Sequence, residues 1–201
     1  MHTDLAIIGA GGHSKVIADV LNSNGIHSFT IFDSSPSKAG SVIQNVYVSL
    51  LDDTVQFDEY HISIGNNQVR NDLYKKYKLQ AKFISVISKQ AYIAHTAIIG
   101  EGAFIAAKSV VSADSIIGFG CIVNHGAIIE HDCEVGVFSH IAPNATLLGG
   151  VTLGERVFVG AGATILPGVK IVDDVIIGAG AVVLSDILEL CTVVGAPARK
   201  I

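Results

Sequence analysis

Two different periods divide the apolar residues of this chain. Over the first 85 or so residues, short apolar runs alternate with helical stripes. Leu5-Ala6-Ile7-Ile8 reads as a buried strand that runs into Gly9-Ala10-Gly11-Gly12. From Gly12 to about Asn24, Val16, Ile17, Val20 and Leu21 fall on one helical stripe, and Gly25 ends the helix. Residues 28–32 predict a second strand followed by Asp33, and residues 61–64 a third that ends at Gly65-Asn66-Asn67. Val69, Leu73 and Tyr77 mark a second helix, residues 83–87 a fourth strand, and the stretch between Asp33 and His61 reads as turns. Strands alternating with helices predict a parallel α/β sheet.

From Ala91 the period becomes six. Aliphatic residues recur without a gap from Ile93, Ile99 and Ile105 through Val135, Ile141 and Leu147 to Ile177 and Val183. Two positions before each of them stands a small residue or valine, among them Ala91, Ser109, Cys121, Cys133, Ser139 and Ala181. Neither a helix nor a sandwich strand repeats every six residues, but a coil with three flat sides does. Residue i then lies beneath i+18, at a sheet spacing of about 4.8 Å. Gly100, Gly118, Gly136, Gly154, Gly160 and Gly178 follow aliphatic positions, where a corner calls for φ > 0.

Half of the 201 residues are apolar and 15% are charged, which argues against disorder. A net charge of -5 without a Lys/Arg run argues against a nucleic-acid groove or an anionic membrane surface. No apolar run is long enough to span a bilayer, and Leu5–Ile8 is too short for a signal-peptide core. Three cysteines without a CxxC fit a reducing cytoplasm, and Cys121 and Cys133 occupy the small inner slot of the repeat.

Gly9-Ala10-Gly11-Gly12-His13-Ser14 is similar to a dinucleotide fingerprint, with Ser14 in place of the third glycine. It follows a strand and opens a helix, so it suits an anion at the helix N-terminus. Asp33 is placed to accept hydrogen bonds from a nucleotide. A Rossmann-like domain of four strands suits one nucleotide diphosphate better than NAD.

The unbroken hexapeptide repeat resembles the left-handed parallel β-helix acyltransferases, which work as trimers. Joined to the Gly-Ala-Gly-Gly-His start, and with Glu130-His131-Asp132-Cys133 and Ser139-His140-Ile141 inside it, the chain is similar to the NeuD family of sialic acid O-acetyltransferases. Within that family it resembles the bacterial sugar N-acetyltransferases that act on nucleotide-linked 4-amino-4,6-dideoxy sugars. It departs where members often carry Ile-His-Pro, since Val86-Ile87-Ser88 stands there.

The resemblance implies a domain at residues 1–85 that binds the nucleotide sugar and a coil at 86–201 that binds acetyl-CoA and carries out the reaction. Gly11, Gly12, His13, Asp33, Ser34 and Gly65 would hold the nucleotide sugar, although Gly65-Asn66 reads equally well as a plain turn. His131 would act as general base, oriented by Asp132; the pair works only at a corner, because neighbours in a straight strand point to opposite faces. His140 would contact the thioester region of acetyl-CoA, and Asn124, in the wall beside His131, would lie near the sugar's amine. Small residues at Ala161 and Ala179 would admit the pantetheine, and His125 reads as a solvated bystander. No metal is expected, since the histidine gaps do not match those of zinc-binding β-helix enzymes.

The reading is therefore an acetyl-CoA-dependent N-acetyltransferase for a UDP-linked sugar, with GDP- and dTDP-linked sugars as alternatives. O-acetylation of a sialic acid and a non-catalytic nucleotide-sugar scaffold are its rivals. His131 and His140 of one chain would stand on the order of 15 Å apart along one prism side, so the sites should be shared between subunits of a homotrimer.

Overall fold

The computed structural model of the protein describes residues 1–201 and divides into two compact units, Met1–Ser88 and Lys89–Ile201. In the first unit, β1 (His2–Ile8) enters α1 (Gly12–Ser23) through the glycine loop. There follow β2 (Thr30–Asp33), β3 (Val42–Ile43), β4 (Val46–Leu50), β5 (Gln56–Ile62), α2 (Asn67–Tyr77) and β6 (Lys82–Phe83). They build a six-stranded sheet in the order β3-β4-β2-β1-β5-β6.

Six strands correct the expected four. The stretch read as turns contains a hairpin in which Val42 pairs with Tyr47 and Ile43 with Val46. Its two-residue loop, Gln44-Asn45, has positive φ at both positions (49° and 65°), the twist that closes a right-handed ribbon. β4 then lies parallel to β2, with Ile31 opposite Val48. The expected strand at 83–87 is split into Lys82–Phe83 and Val86–Ile87. Ile7, Ile8, Ile31, Phe32 and Ile62 of the sheet are buried, as are Ile17 and Leu21 of α1.

The apolar stripe of α2 is a weaker guide, since Val69 is exposed while Arg70 is buried. The Arg70 guanidinium donates to Ile64 O at 3.0 Å, Gly65 O at 3.3 Å and Asn67 Oδ1 at 2.9 Å, which satisfies the backbone between β5 and α2.

The second unit is a parallel β-helix of two-residue strands in three faces. The first face runs from Phe104–Ile105 through Ile122–Val123, His140–Ile141 and Phe158–Val159 to Ile176–Ile177. The second holds six strands, from Tyr92–Ile93 to Val182–Val183, and the third five, from Ile98–Ile99 to Lys170–Ile171. Val110 pairs with Ile128 and Ile122 with His140, the 18-residue register expected of three hexads. From Ala103 to Val183, every aliphatic position and every small position of the repeat is buried.

Four polar members of the small slot are matched by carbonyls of the next coil, while Ser109 Oγ donates to Ala106 O in its own coil (2.7 Å). Ser115 Oγ donates to Glu130 O (2.7 Å), Cys121 Sγ to Gly136 O (3.1 Å), Cys133 Sγ to Leu148 O (3.3 Å) and Ser139 Oγ to Gly154 O (3.0 Å). Each of these donors therefore meets an acceptor fifteen residues further on, and no buried hydroxyl among them is wasted.

The glycines that follow aliphatic positions do not have the conformation expected of them. Gly100, Gly118, Gly136, Gly154, Gly160 and Gly178 lie outside the left-handed region. What they supply is clearance: a Cβ on Gly118 would sit 2.6 Å from Val135 O, and one on Gly160 would sit 2.6 Å from Gly178 C. The left-handed corner falls two residues later, and fourteen successive hexads from Gly102 to Gly180 all adopt it. Lys108, Asp114, Asp132, Phe138, Asn144, Arg156 and Asp174 accept it as readily as glycine does, with φ of 54–61°. No helix is long and apolar enough to cross a membrane.

Candidate active site

A cavity of about 260 Å³ opens at the glycine loop, lined by Gly9 to His13, Asp33, Lys38, Ser63, Ile64 and Gly65. The helix that starts there has Gly11 as its N-cap with no side-chain cap, and the positive end of its dipole faces the cavity, where it suits an anion. Ser14, in place of the fingerprint's third glycine, is buried and turns its hydroxyl back onto Gly11 O at 2.6 Å.

Asp33 is committed to shaping this loop. Its Oδ2 accepts from Ala10 N (2.8 Å) and Lys38 Nζ (3.1 Å), and its Oδ1 from Ser35 N (2.9 Å). Burial works against ionisation, but the Ser35 and Ala10 amides and the Lys38 ammonium together hold the carboxyl below its usual range. Five of the six residues read as nucleotide ligands therefore meet in one cavity; Ser34 lines a neighbouring one of about 240 Å³ with Leu51, Leu73 and Tyr77. Lys38, which the sequence reading missed, is the cation of the site. Its signal is a lone lysine five positions after the strand-end aspartate.

In the second unit, His131 and Asp132 occupy the corner between the second and third faces, and Asp132 takes its left-handed position at φ 60°. That twist turns two consecutive side chains to one side. His131 Nδ1 donates to Asp132 Oδ2 at 2.7 Å, and both side chains stay 64% exposed. The Asp132 carboxylate raises the imidazole above its ordinary value, and the more distant Glu130 adds to the effect. Gly149, one coil on, leaves room for the ring: a Cβ there would lie 2.6 Å from His131 Cε1 and 2.8 Å from Nε2.

His140 is a nearly buried, outward-facing member of the first face, set edge-on to Phe158 with centroids 5.3 Å apart. One chain thus does not bring His131 and His140 together. Asn124 corrects the expectation of a place beside His131. Its Nδ2 lies 3.2 Å from His140 Nε2, and its Oδ1 accepts from His125 N (2.9 Å) and His125 Nδ1 (3.2 Å). Register rather than chain distance governs this contact, because the coil stacks residue 124 against the strand that carries His140. Ala161 and Ala179 are exposed and stack in one corner column, with Gly180 N donating to Ala161 O and Gly162 N to Pro143 O. Asn144 N donates to His125 O, so His125 belongs to the same column, two coils before Ala161. His125, His131 and His140 form no group within metal-ligand reach of one another.

Comparison with known proteins covers both units. The PglD N-terminal domain family matches residues 4–77, and the bacterial transferase hexapeptide family (six repeats) matches residues 150–185. Over 98% of its length the chain superposes on PerB from Caulobacter crescentus, solved with CoA and GDP-perosamine, at a TM-score of 0.90 and 33% identity, and it covers 96% of that protein. The chain belongs to the PglD-type hexapeptide acyltransferase family. The chain is also similar to the acetyltransferase domain of PglB from Neisseria gonorrhoeae, solved with acetyl coenzyme A, at 35% identity over the full length of both chains and a TM-score of 0.90. UDP-N-acetylbacillosamine N-acetyltransferase of Bacillus subtilis is 35% identical over 114 residues, 49% of each protein. The chain spans no more than about half the length of the curated relatives that it matches.

Proposed function

We propose that the protein moves an acetyl group from acetyl-CoA to the 4-amino group of a nucleotide-linked amino-dideoxy sugar. The observation that carries this reading is the 2.7 Å bond from His131 Nδ1 to Asp132 Oδ2 at an exposed corner. With its proton held on Nδ1, the ring offers the Nε2 lone pair as a base. The amine nitrogen forms a bond to the thioester carbonyl carbon, and His131 Nε2 takes the proton that the nitrogen must lose. Collapse of the tetrahedral intermediate breaks the C–S bond, and the proton on His131 neutralises the departing CoA thiolate. Asp132 favours the imidazolium that forms in between.

Residues 1–85 hold the nucleotide in this reading, with the helix N-terminus at Gly11, Gly12 and His13 and the Lys38 ammonium directed at its phosphates. The Gly65 turn closes the same cavity, and Ser34 reaches the nucleotide from the adjacent one. Residues 86–201 hold acetyl-CoA against His140 and along the column of Ala161 and Ala179. Catalysis takes place between subunits of a homotrimer, His131 from one chain and His140 from the next. The solved relatives that hold CoA, and in one case GDP-perosamine, support this division of labour. Cys121, Cys133 and Cys191 form no disulfide, which suits a bacterial cytoplasm.

The test is a comparison of kcat/KM for UDP-, GDP- and dTDP-linked 4-amino sugars with their 4-hydroxy counterparts and with sialic acid. Transfer to the amines by at least about a hundredfold over the hydroxyls is expected, since a neutral amine is the stronger nucleophile at the pKa of a histidine base. Preferred transfer to a hydroxyl refutes N-acetylation, and calorimetry without any acetyl-CoA binding refutes the enzyme.

A further inference from the structure

We infer that Ser63 is a positioning residue for the nucleotide cavity, one that keeps the carbonyl of Gly9 from facing the phosphates. The Gly9–Ala10 peptide is gripped on both sides. Ser63 Oγ lies 2.6 Å from Gly9 O and 3.0 Å from Ile8 O. Ile8 O already accepts from Ser63 N at 2.8 Å, so the single hydroxyl proton goes to the shorter contact, Gly9 O. On the other side, the N–H of the same peptide, that of Ala10, donates to Asp33 Oδ2 at 2.8 Å. The C=O and N–H of a trans peptide point in opposite directions, so a buried serine and an aspartate fix the plane between them.

Gly9 is what lets Ser63 come so close. A Cβ there would lie 3.2 Å from Ser63 Oγ and 2.7 Å from Ile64 Cγ1, and the φ of 109° is one that side chains rarely adopt. Gly11 O is masked in the same way, by the hydroxyl of buried Ser14 at 2.6 Å. Two carbonyls of the loop are thus covered by serines at a cavity that suits an anion. An uncovered oxygen would turn the negative end of its dipole on the phosphates and offset the helix N-terminus and the Lys38 ammonium.

This inference rests on the nucleotide-binding reading for its consequence. Without the Ser63 hydroxyl, Gly9 O has lost its donor, and a carbonyl buried without a partner is costly. The oxygen then turns to water in the cavity, where the phosphates of a nucleotide have to lie.

Two measurements on the full-length protein test this. Hydrogen exchange of the ligand-free protein reads the grip at Ala10. Ser63→Ala should speed exchange of the Ala10 amide about tenfold, as the peptide tilts away from Asp33. An unchanged rate shows that Asp33 fixes the peptide alone and overturns the inference. NMR titrations then compare the one of UDP, GDP and dTDP that wild type binds most tightly with its uncharged nucleoside. Ser63→Ala should weaken the diphosphate about five- to tenfold, the worth of one hydrogen bond, and the nucleoside by less than about twofold. Equal losses for both make Ser63 a merely structural residue and overturn the inference, as does undiminished affinity for the diphosphate. Wild type that binds none of the three refutes the nucleotide reading itself, whereas exchange at Ala10 judges the grip of Ser63 without any ligand.

Discussion

Gly118→Ala should be far more damaging than Gly162→Ala, although both add one methyl group to a corner of the same β-helix. At Gly162 the φ of 67° is the difficulty, and nothing lies within 4 Å of a new Cβ. The cost there is the left-handed conformation of an alanine, about 1–2 kcal/mol. Gly118 has no such φ, but its Cβ would meet three backbone atoms: Val135 O at 2.6 Å, Val137 N at 2.9 Å and Gly136 C at 3.0 Å. Backbone of the next coil cannot rotate away as a side chain can. The coils must part by up to about 1 Å from their usual 4.8 Å spacing. That strains the bond from Gly118 N to Val135 O, now 2.8 Å. Overpacking of this kind costs about 3 kcal/mol, to which a weakened ladder bond adds about 1 kcal/mol. For a chain of this size the melting temperature should fall by about 10 °C for Gly118→Ala and about 4 °C for Gly162→Ala. Scanning calorimetry at matched protein concentration measures the difference. Hydrogen exchange should localise it, with faster exchange at the amides of Gly118 and Gly136 in the first variant alone. Equal melting temperatures would refute the distinction between glycines kept for clearance and glycines kept for φ.

Four further outcomes are expected. His131→Ala should lose about 10²–10⁴ in turnover with an unchanged melt. Asp132→Asn should lose less and, by removing the group that raises the histidine, shift the acid limb of kcat/KM to lower pH; an unshifted limb removes Asp132 from the mechanism. Gly149→Ala should crowd the His131 ring off Asp132 and reproduce both effects of Asp132→Asn without loss of stability, whereas a wild-type pH profile would show that the ring has room. Co-expressed His131→Ala and His140→Ala chains should recover about a quarter of wild-type activity, because each shared interface is doubly correct once in four. Mixed trimers as inactive as the parents, with mixing confirmed by native mass spectrometry, would exclude a shared site.

The coil was legible because every hexad repeats the same burial demand, so sixteen weak signals add in phase. The hairpin at Val42–Leu50 was not, because its loop is Gln44-Asn45, without the glycine that marks such turns, amid a run of Ser, Pro and Gly. Gly118 was visible as a repeat glycine, but whether it serves φ or clearance depends on the neighbouring coil. Lys38 escaped assignment, and Asn124 was placed beside His131, for a related reason. Lys38 reaches the pocket through Asp33, and the contact between Asn124 and His140 exists only once residue 124 is stacked on the coil above.

The corner geometry also explains why two histidines of the same repeat phase differ. His125 and His131 each precede a left-handed corner residue, at φ 65° and 60°. After His131 that residue is Asp132, which tolerates the conformation and carries a carboxylate back to Nδ1. After His125 it is Gly126, which has no side chain to offer. A Cβ at Gly126 would also collide with Asn144 Oδ1, so an acid cannot be placed there without moving the next coil. His125 finds the neutral amide oxygen of Asn124 instead, at 3.2 Å from Nδ1. Asp114 and Asp174 have the corner conformation and the carboxylate, yet Ala113 and Asp173 precede them. Among the fourteen left-handed corners, the sequence His-Asp occurs at 131–132 alone. A histidine paired with its own neighbouring carboxylate can therefore form at that corner and at no other, which is why the proposed function gives the base's role to His131 and not to His125.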